Sequence, residues 1–214
     1  VDICFFHRGA SDQRVILKLY PADMEESRTT WPTWSLARVL GATMTGGGSL
    51  MVAGEPDEST GTMHALNSLY YPDHQPMSDD NADVLLRYYK HDALLYEYTH
   101  GGSVQNLDLR VPLDGGITRS FHAPDRNAIC VQLLNLSNQP KWTEPVASVS
   151  ARKNVTVNIS LPSDVNPLSV YYASPDTAAY HLPTELDFTT GQNGEISVLV
   201  PELVVHGTLI INYE

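Results

Sequence analysis

At residues 66–78 the chain reads LNSLYYPDHQPMS, and a helix-forming sequence follows this stretch to about Tyr98. The two prolines favour an extended arm over a helix, because proline lacks the backbone N–H and restricts the residue before it. Ser78 is a good N-cap residue, and Asp79 and Asp80 suit the positive end of a helix. The stretch therefore predicts an extended arm that leads into a helix at Ser78.

The apolar residues of this predicted helix recur at intervals of three and four, which predicts one buried face. They are Val84, Leu85, Tyr88, Tyr89, Leu95, Tyr96 and Tyr98. The glycine pair at residues 101–102 is typical of a helix end. Before this helix the sequence predicts mixed helices and strands, and after it strands only. The helix is therefore the junction between two architectures.

Composition narrows the function classes. Of the 214 residues, 42% are hydrophobic, which supports a packed core. The net charge of −12 argues against nucleic-acid binding, which needs a basic surface. No apolar run approaches the length of about 18 residues that predicts a membrane span. The sequence contains no Cys/His motif for zinc, and we expect neither a metal nor another cofactor.

Two features concern the start of the chain. The first residue is Val1, and residues 1–6 are already typical of an interior strand, which predicts that the chain begins inside a larger fold. Cys4 and Cys130 could form one disulfide, although two buried thiols are the interpretation we favour.

The first half alternates strand and helix signals. Three short apolar runs suit strands, namely residues 3–6, 15–20 and 49–53. Residues 34–40 suit a helix that ends at Gly41 or soon after, and Gly54-Glu55-Pro56 suits a turn that closes the last strand. A carboxylate just past a strand is typical of a (β/α) barrel, whose sites lie at the carboxyl ends of the strands. Residues 1–102 are therefore predicted to be the last strands and helices of a (β/α)8 barrel.

The second half, residues 103–214, shows short strands between turn signals, which predicts an antiparallel β-sandwich. The strands are expected at residues 105–111, 117–121, 128–136, 155–161, 168–173, 186–188, 195–200 and 208–213. Polar and apolar residues alternate along 154–161, so one face of that strand should be buried. The fold class is therefore predicted to be α/β plus all-β.

Several short motifs occur in a fixed order. They are ARV (37–39), GG (47–48), GE (54–55), LYYPD (69–73), MS (77–78), LRYYKH (86–91), LLNL (133–136), YASPD (172–176) and VPEL (200–203). In this order they resemble glycoside hydrolase family 66, the dextranases and cyclic isomaltooligosaccharide glucanotransferases. Three positions depart from that pattern. Leu50 replaces a histidine, Val52 replaces the first of two glutamates, and His206 replaces a tryptophan.

The resemblance implies a secreted or extracellular glycoside hydrolase or transglycosylase that acts on α-linked glucan such as dextran. In that family the catalytic Asp and Glu lie on earlier barrel strands, so it implies no catalytic residue in this chain. The implied partners are the N-terminal half of the same protein, covalent or as a separate chain, and a carbohydrate ligand. Nucleic acid and membranes are not implied. Two alternatives are a non-catalytic carbohydrate-binding or structural relative, and another barrel glycosidase family with an all-β C-terminal domain.

Four residues are candidates for sugar contacts. Glu55, with Gly54, is expected at the barrel mouth, and the alternative is a solvated turn carboxylate. Tyr70 offers a ring for stacking on a sugar, although core packing is favoured for it. Trp31 lies on a predicted loop, where it would either stack on a sugar or anchor the loop.

Three sequons are present, at Asn135, Asn154 and Asn158. Asn154 and Asn158 are predicted to lie on the outward face of one strand and are the candidate glycosylation sites. Asn135 is expected to be structural.

Overall fold

The computed structural model of the chain describes residues 15–18, 33–51, 54–56, 59, 63–65, 78–137, 148–191 and 194–214. Three α-helices lie in these ranges: α1 Thr33–Thr45, α2 Asp79–Leu94 and α3 Tyr96–Thr99. The strands are β1 Val15–Lys18, β2 Gly48–Met51, β3 Gly54–Pro56, β4 Met63–Ala65, β5 Gln105–Leu107, β6 Gly116–Ala123, β7 Ala128–Asn135, β8 Arg152–Ser160, β9 Pro167–Ala173, β10 Thr184–Leu186, β11 Phe188–Thr190, β12 Glu195–Leu203 and β13 His206–Tyr213. The predicted strand at 3–6, the arm at 66–77 and Cys4 lie outside the described residues.

The described strands form four sheets, and most of their pairs are antiparallel. A six-stranded sheet has the order β10-β9-β13-β7-β6-β5, and a three-stranded sheet has the order β11-β12-β8. Strands β3 and β4 form a short antiparallel pair, whereas β1 and β2 are parallel. The chain is thus a mixed fold of few helices and mostly antiparallel sheets.

The predicted strand at 186–188 proves to be two strands in two sheets. Leu186 pairs with Val170 in the six-stranded sheet, and Phe188 pairs with Val198 in the three-stranded sheet. The backbone changes sheets at Asp187, so a local pattern could not distinguish one continuous strand from two.

The six-stranded and three-stranded sheets share one core. It combines the inward residues of β8 and β12, such as Val157 and Val198, with those of β7, β9 and β13, such as Val131, Tyr172 and Leu209. Side chains alternate between the two faces of a strand, so each strand contributes every second residue. The alternation predicted for β8 is confirmed, because its apolar residues are buried and the polar residues between them are exposed or half-buried.

Helices cover the opposite face of the six-stranded sheet. Residues of α1 and α2 form a second core with Leu134, Val204 and Val205. The approach is close at Gly41, where an added Cβ would lie 3.0 Å from the Cβ of His206. The helices before residue 102 and the strands after it are therefore packed in direct contact.

Helix α2 begins as the sequence predicts. The hydroxyl of Ser78 accepts a hydrogen bond from the backbone N–H of Asn81 at 3.4 Å, and Asp79 and Asp80 occupy the first turn. The helix breaks at Leu95, with φ −99° and ψ 8°, before α3 begins. Leu95 is buried against the six-stranded sheet, beside Ala128 and Ile210.

Two predictions for the helix expected from Ser78 to Tyr98 are wrong. Tyr89 and Tyr96 were expected on the buried face, but they are 37% and 40% exposed. A helix turns by about 100° per residue, so Tyr89 cannot face the same way as the buried Tyr88. At this position the turn of one residue takes the side chain from the buried side of the helix to the exposed side.

The predictions for the first half need three corrections. Helix α1 passes through Gly41 and continues to Thr45. The glycine lies within the helix, at its close contact with the sheet. Met51, expected in a buried strand, is 47% exposed. Residues Gly54–Pro56 form strand β3, paired with β4, rather than a turn.

Asn135 is a structural residue, as predicted. It is fully buried at the end of β7, and its amide Nδ2 donates to the carbonyl oxygen of Val204 at 2.8 Å. Longer bonds run to the carbonyls of Leu203 and Ser150, and the side-chain Oδ1 accepts from the N–H of Ser137. The side chain of Asn135 thus supplies hydrogen bonds to the backbone carbonyls at the bend between β12 and β13.

We predict that Asn135→Ala lowers the free energy of unfolding by about 3 kcal/mol, because buried carbonyls lose their donor. The matched control is Asn158→Ala on the exposed face of β8, which should change stability by no more than about 0.5 kcal/mol. Urea denaturation of both variants measures the difference. Equal effects of the two substitutions would contradict the structural role of Asn135.

Candidate functional site

The predicted sugar-binding residues are only partly within the described residues. Gly54 and Glu55 lie in β3, where Glu55 is the register partner of His64. Trp31 and Tyr70 lie outside the described residues. Sugar contact therefore stays a prediction for all four residues.

The two candidate glycosylation sites are exposed on β8. Asn154 and Asn158 lie on the side of the strand that faces away from the shared core. Asn154 has φ 52°, a left-handed backbone conformation that asparagine tolerates better than most residues. Attachment of a glycan at either residue remains a prediction.

Five buried side chains and the half-buried Asp176 form a polar cluster between α2 and the six-stranded sheet, which we call the Asp176 cluster: Tyr88, His91, Ser174, Asp176, His206 and Thr208. Asp176 follows β9, and its carboxylate accepts three hydrogen bonds. The hydroxyl of Tyr88 donates to Oδ1 at 2.8 Å. The backbone N–H groups of Val205 and His206 donate to Oδ2 at 3.0 and 2.8 Å. The carboxylate therefore joins a helix to the turn between two strands.

The Asp176 turn is fixed by further bonds. The hydroxyl of Ser174 donates to the carbonyl of His206 at 2.7 Å and accepts from the N–H of Asp176 at 3.2 Å. The guanidinium of Arg87 donates to the carbonyl of Pro175. The carboxylate is thus held from both the helix and the sheet.

Burial sets the protonation behaviour of these groups. Desolvation raises the pKa of Asp176, and the hydrogen bonds from His206, Tyr88 and Val205, with the charge of Arg87, oppose that rise. Burial, followed by the nearby Asp176, raises the pKa of Tyr88 well above its usual value. Tyr88 therefore remains a protonated donor to the carboxylate.

The second part of the cluster contains two histidines. The Nε2 of His91 lies 3.1 Å from the hydroxyl oxygen of Thr208, which donates its own proton to the Oε1 of Gln132 at 2.8 Å. Since that hydroxyl has one proton, His91 must donate from Nε2. The tautomer of this buried imidazole is therefore fixed by Gln132 through the hydroxyl of Thr208.

His206 is held in a similar way. Thr45 donates to the carbonyl of Gly41, and its hydroxyl oxygen lies 3.3 Å from the Nδ1 of His206. The rings of His91 and His206 meet edge to face, with centroids 5.5 Å apart. Burial lowers the pKa of His91 to about 4, although Asp92 opposes this, and burial with the nearby His91 lowers that of His206 well below its usual value. Both rings are therefore neutral near pH 7.

A second polar contact joins α2 to β2. The carboxylate of Asp92 accepts from the hydroxyl of Ser49 at 2.9 Å and lies 2.9 Å from the Nε2 of His100. The same three residue types form the triad of serine hydrolases, but there the imidazole lies between serine and carboxylate and removes the serine proton. Here the carboxylate is in the middle, so the arrangement is a structural link and not an activated nucleophile.

The Asp176 cluster is also unsuited to glycoside hydrolysis. Retaining hydrolysis needs a nucleophilic carboxylate and a second carboxyl group about 5 Å away, both open to the sugar. Both oxygens of Asp176 accept hydrogen bonds from the protein. Among the described residues, no group of three or more His, Cys, Asp or Glu could hold a metal ion. The cluster can stabilise the packing of α2, and its carboxylate is not arranged as the nucleophile of a retaining glycosidase.

Sequence reasoning did not identify the Asp176 cluster. The signal available was the sequence of residues 172–176, in which a buried strand ends in Ser-Pro-Asp. Such a turn predicts a side chain that caps local backbone N–H groups. The groups that Asp176 binds lie some 30 residues further along the chain and on α2, which no local pattern reveals.

The lowered pKa values predict a dependence of stability on pH. Between about pH 6.5 and pH 4 the unfolded His91 binds a proton and the folded one does not, so stability falls as the pH falls. For His91 alone the loss is up to about 3 kcal/mol. Asp176 contributes in the opposite direction, because its raised pKa favours the folded state at low pH.

The variant His91→Gln keeps a donor near the Nε2 position and removes the titrating group. We expect its free energy of unfolding to fall less between pH 7 and pH 5 than that of the wild type. Urea denaturation at the two pH values measures this difference. Parallel losses in the two proteins would show that His91 is not the titrating group.

No helix in the described part of the chain is both long and apolar enough to cross a membrane.

No family model and no curated protein matches the sequence. Among solved structures, the chain is similar to a Paenibacillus sp. cycloisomaltooligosaccharide glucanotransferase complexed with cycloisomaltoheptaose. That match has a TM-score of 0.65 and 17% identity, and it covers 85% of this chain and 27% of the other.

A second match is α-L-fucosidase isoenzyme 2 from Paenibacillus thiaminolyticus, with a TM-score of 0.37 and 17% identity over 75% of this chain and 27% of the other. A TM-score of 0.37 is too low to support a conclusion about the fold. The chain spans about a quarter of the length of these two structures. The likeness to the glucanotransferase concerns the fold alone, and it shows that this chain has a fold similar to part of that structure.

Proposed function

We propose that this chain is the C-terminal portion of a glycoside hydrolase or transglycosylase that acts on an α-linked, dextran-like glucan. The catalytic carboxylates would lie in a preceding segment or a partner chain. The observation that carries the proposal is the likeness to the glucanotransferase over 85% of this chain. The order of the short motifs in the sequence supports it independently. Under this proposal residues 1–102 are the end of a (β/α)8 barrel, and residues 103–214 are a β-sandwich.

The parallel pair β1–β2 is consistent with a barrel. The two strands are register partners from Val15 and Gly48 to Lys18 and Met51, and α1 lies between them in the chain. Parallel neighbours joined through a helix form the βαβ unit from which barrels are built. Ile16 is 60% exposed and Met51 is 47% exposed. Parallel strands are normally buried on both faces, so further barrel strands would cover these residues.

In this proposal the sugar-binding residues lie beyond the carboxyl end of β2. Glu55 and Gly54 follow that strand closely, and Trp31 and Tyr70 would contribute aromatic rings to the same mouth. A polysaccharide substrate would place the protein outside the cell, where Asn154 and Asn158 could accept glycans. The Asp176 cluster would hold α2 and hence the barrel end on the sheets.

One observation favours the alternative, a non-catalytic carbohydrate-binding or structural relative. Leu50 stands where the resembling family has histidine, and it is buried in the core of α1 and α2. A buried leucine adds to packing and cannot contact a sugar hydroxyl. Glu55, which the family pattern retains, favours the enzyme.

Activity and binding separate these possibilities. We expect residues 1–214 alone to release no sugar from dextran, because retaining hydrolysis needs a pair of carboxyl groups that this chain is not proposed to contain. The complete protein or complex should hydrolyse dextran or transfer its glucosyl units. In that protein Glu55→Gln should reduce kcat/KM about tenfold or more, because a hydrogen bond to the sugar is lost.

The control is Glu195→Gln on the exposed end of β12, which should leave kcat/KM unchanged. Binding of isomaltooligosaccharide without turnover by the complete protein would favour the non-catalytic relative. Turnover by the pure 214-residue chain, abolished by a substitution within it, would contradict the proposal.

A further inference from the structure

In the Asp176 cluster, each buried histidine has one ring nitrogen that carries no proton. His91 donates from Nε2 to Thr208, so its Nδ1 is unprotonated. Thr45 donates its own proton to Gly41, so His206 must donate from Nδ1, and its Nε2 is unprotonated. Among the described residues, neither the Nδ1 of His91 nor the Nε2 of His206 has a hydrogen-bond partner. The surroundings of both rings therefore suit the neutral imidazole.

A second proton on either ring would be costly in the packed structure. The new N–H would lie in a site where the described residues offer it no acceptor. Its positive charge would also be removed from water, since His91 is 4% exposed and His206 is fully buried. The ring centroids are 5.5 Å apart, so two charged rings would repel each other. The histidines therefore bind protons more readily once they reach water.

The elements packed around the histidines carry seven further charged or titratable side chains in or next to the cluster. They are Arg38 of α1, Arg87, Tyr88 and Asp92 of α2, His100 after α3, Cys130 of β7, and Asp176 after β9. Asp92 favours the charged form of His91 but does not offset the effect of burial. Desolvation raises the pKa of Asp176, so its protonation favours the packed state in acid and opposes the histidines. The effect of the histidines must therefore be measured with Asp176 unchanged.

The histidines lie on one side of the six-stranded sheet, and the core that joins the two sheets lies on the other. On the helix side, α1 and α2 pack on Leu134 and Val205. The core between the sheets contains Val131 and Leu209. Proteins open locally in such separate units, at a lower free energy than complete unfolding. Separation of α2 from the sheet therefore leaves the contacts of the second core in place.

We infer that His91 and His206 form an acid-sensitive latch, whose protonation releases α2 from the six-stranded sheet while the core between the two sheets stays packed. The released imidazoles are in water, where the ordinary pKa is about 6.5. In the packed state burial lowers the pKa of His91 to about 4, so acid favours the released helix. Between pH 7 and pH 5, His91 alone should raise the released fraction about 20-fold. The latch does not depend on the proposed action on a glucan.

Hydrogen–deuterium exchange of the complete protein, resolved by peptide, tests the latch at pH 7 and pH 5. After correction for the intrinsic exchange rate, exchange in residues 79–94 should rise about 20-fold more in the wild type than in His91→Gln. The glutamine keeps a donor near the Nε2 position but cannot take up the proton. Peptides from β8 and β12, which form part of the three-stranded sheet, should keep their protection.

A second variant and a control complete the test. His206→Asn keeps a donor near the Nδ1 position and should also reduce the rise. The matched control is His122→Gln, at a half-buried histidine of β6 that bonds to Tyr213, and it should behave as the wild type. A flat wild-type response, or a rise of equal size in the wild type, His91→Gln and His206→Asn, would overturn the inference. Equal rises in α2 and β8 would also overturn it, because the whole protein would then be unfolding.

Discussion

The carboxylate of Asp176 accepts hydrogen bonds from Tyr88 on α2 and from the backbone N–H groups of Val205 and His206. The arrangement of the helices on the six-stranded sheet depends on this contact. Removing a carboxylate from water is costly unless several donors replace the water. Here three donors from two parts of the chain meet at one side chain. If α2 moved away, the carboxylate would lose the hydroxyl of Tyr88, and Tyr88 would lose its acceptor.

The surrounding contacts reinforce this position of α2. His91 reaches Thr208 on β13, and Gly41 lets α1 approach His206 at the start of the same strand. Apolar residues of α1 and α2 then bury Leu134 and Val205. Within the described residues the helices and sheets are therefore joined by both a polar cluster and an apolar core. A proposed barrel end attached in this way would be held firmly, as precise positioning of a sugar site requires.

Local sequence signals predicted the parts of the fold that local interactions determine. Ser78 was recognised as an N-cap because its hydroxyl satisfies a backbone N–H three residues away. The inward side of β8 was recognised because its alternation extends over the whole strand. Short apolar runs between turn residues identified most of the antiparallel strands after residue 102, with errors mainly at their ends, but β3 and β4 were missed.

The remaining features depend on contacts between distant residues. Tyr89 and Tyr96 were predicted to be buried because they fit the spacing of the apolar residues along the helix, yet both are exposed. The burial of Leu95 depends on the position of Ile210, more than a hundred residues away. Asp176 resembles any turn aspartate until Tyr88 is placed beside it. Sequence could therefore predict most elements, but not the cluster that joins them.

A double-mutant cycle on Tyr88→Phe and Asp176→Ala tests the central claim, that this hydrogen bond couples α2 to the sheets. The free energy of unfolding of the wild type, both single variants and the double variant would be measured in urea. We predict a coupling energy of about 1–3 kcal/mol, so that Tyr88→Phe costs little once Asp176 is absent. Single-variant costs that add to within about 0.5 kcal/mol would contradict the claim.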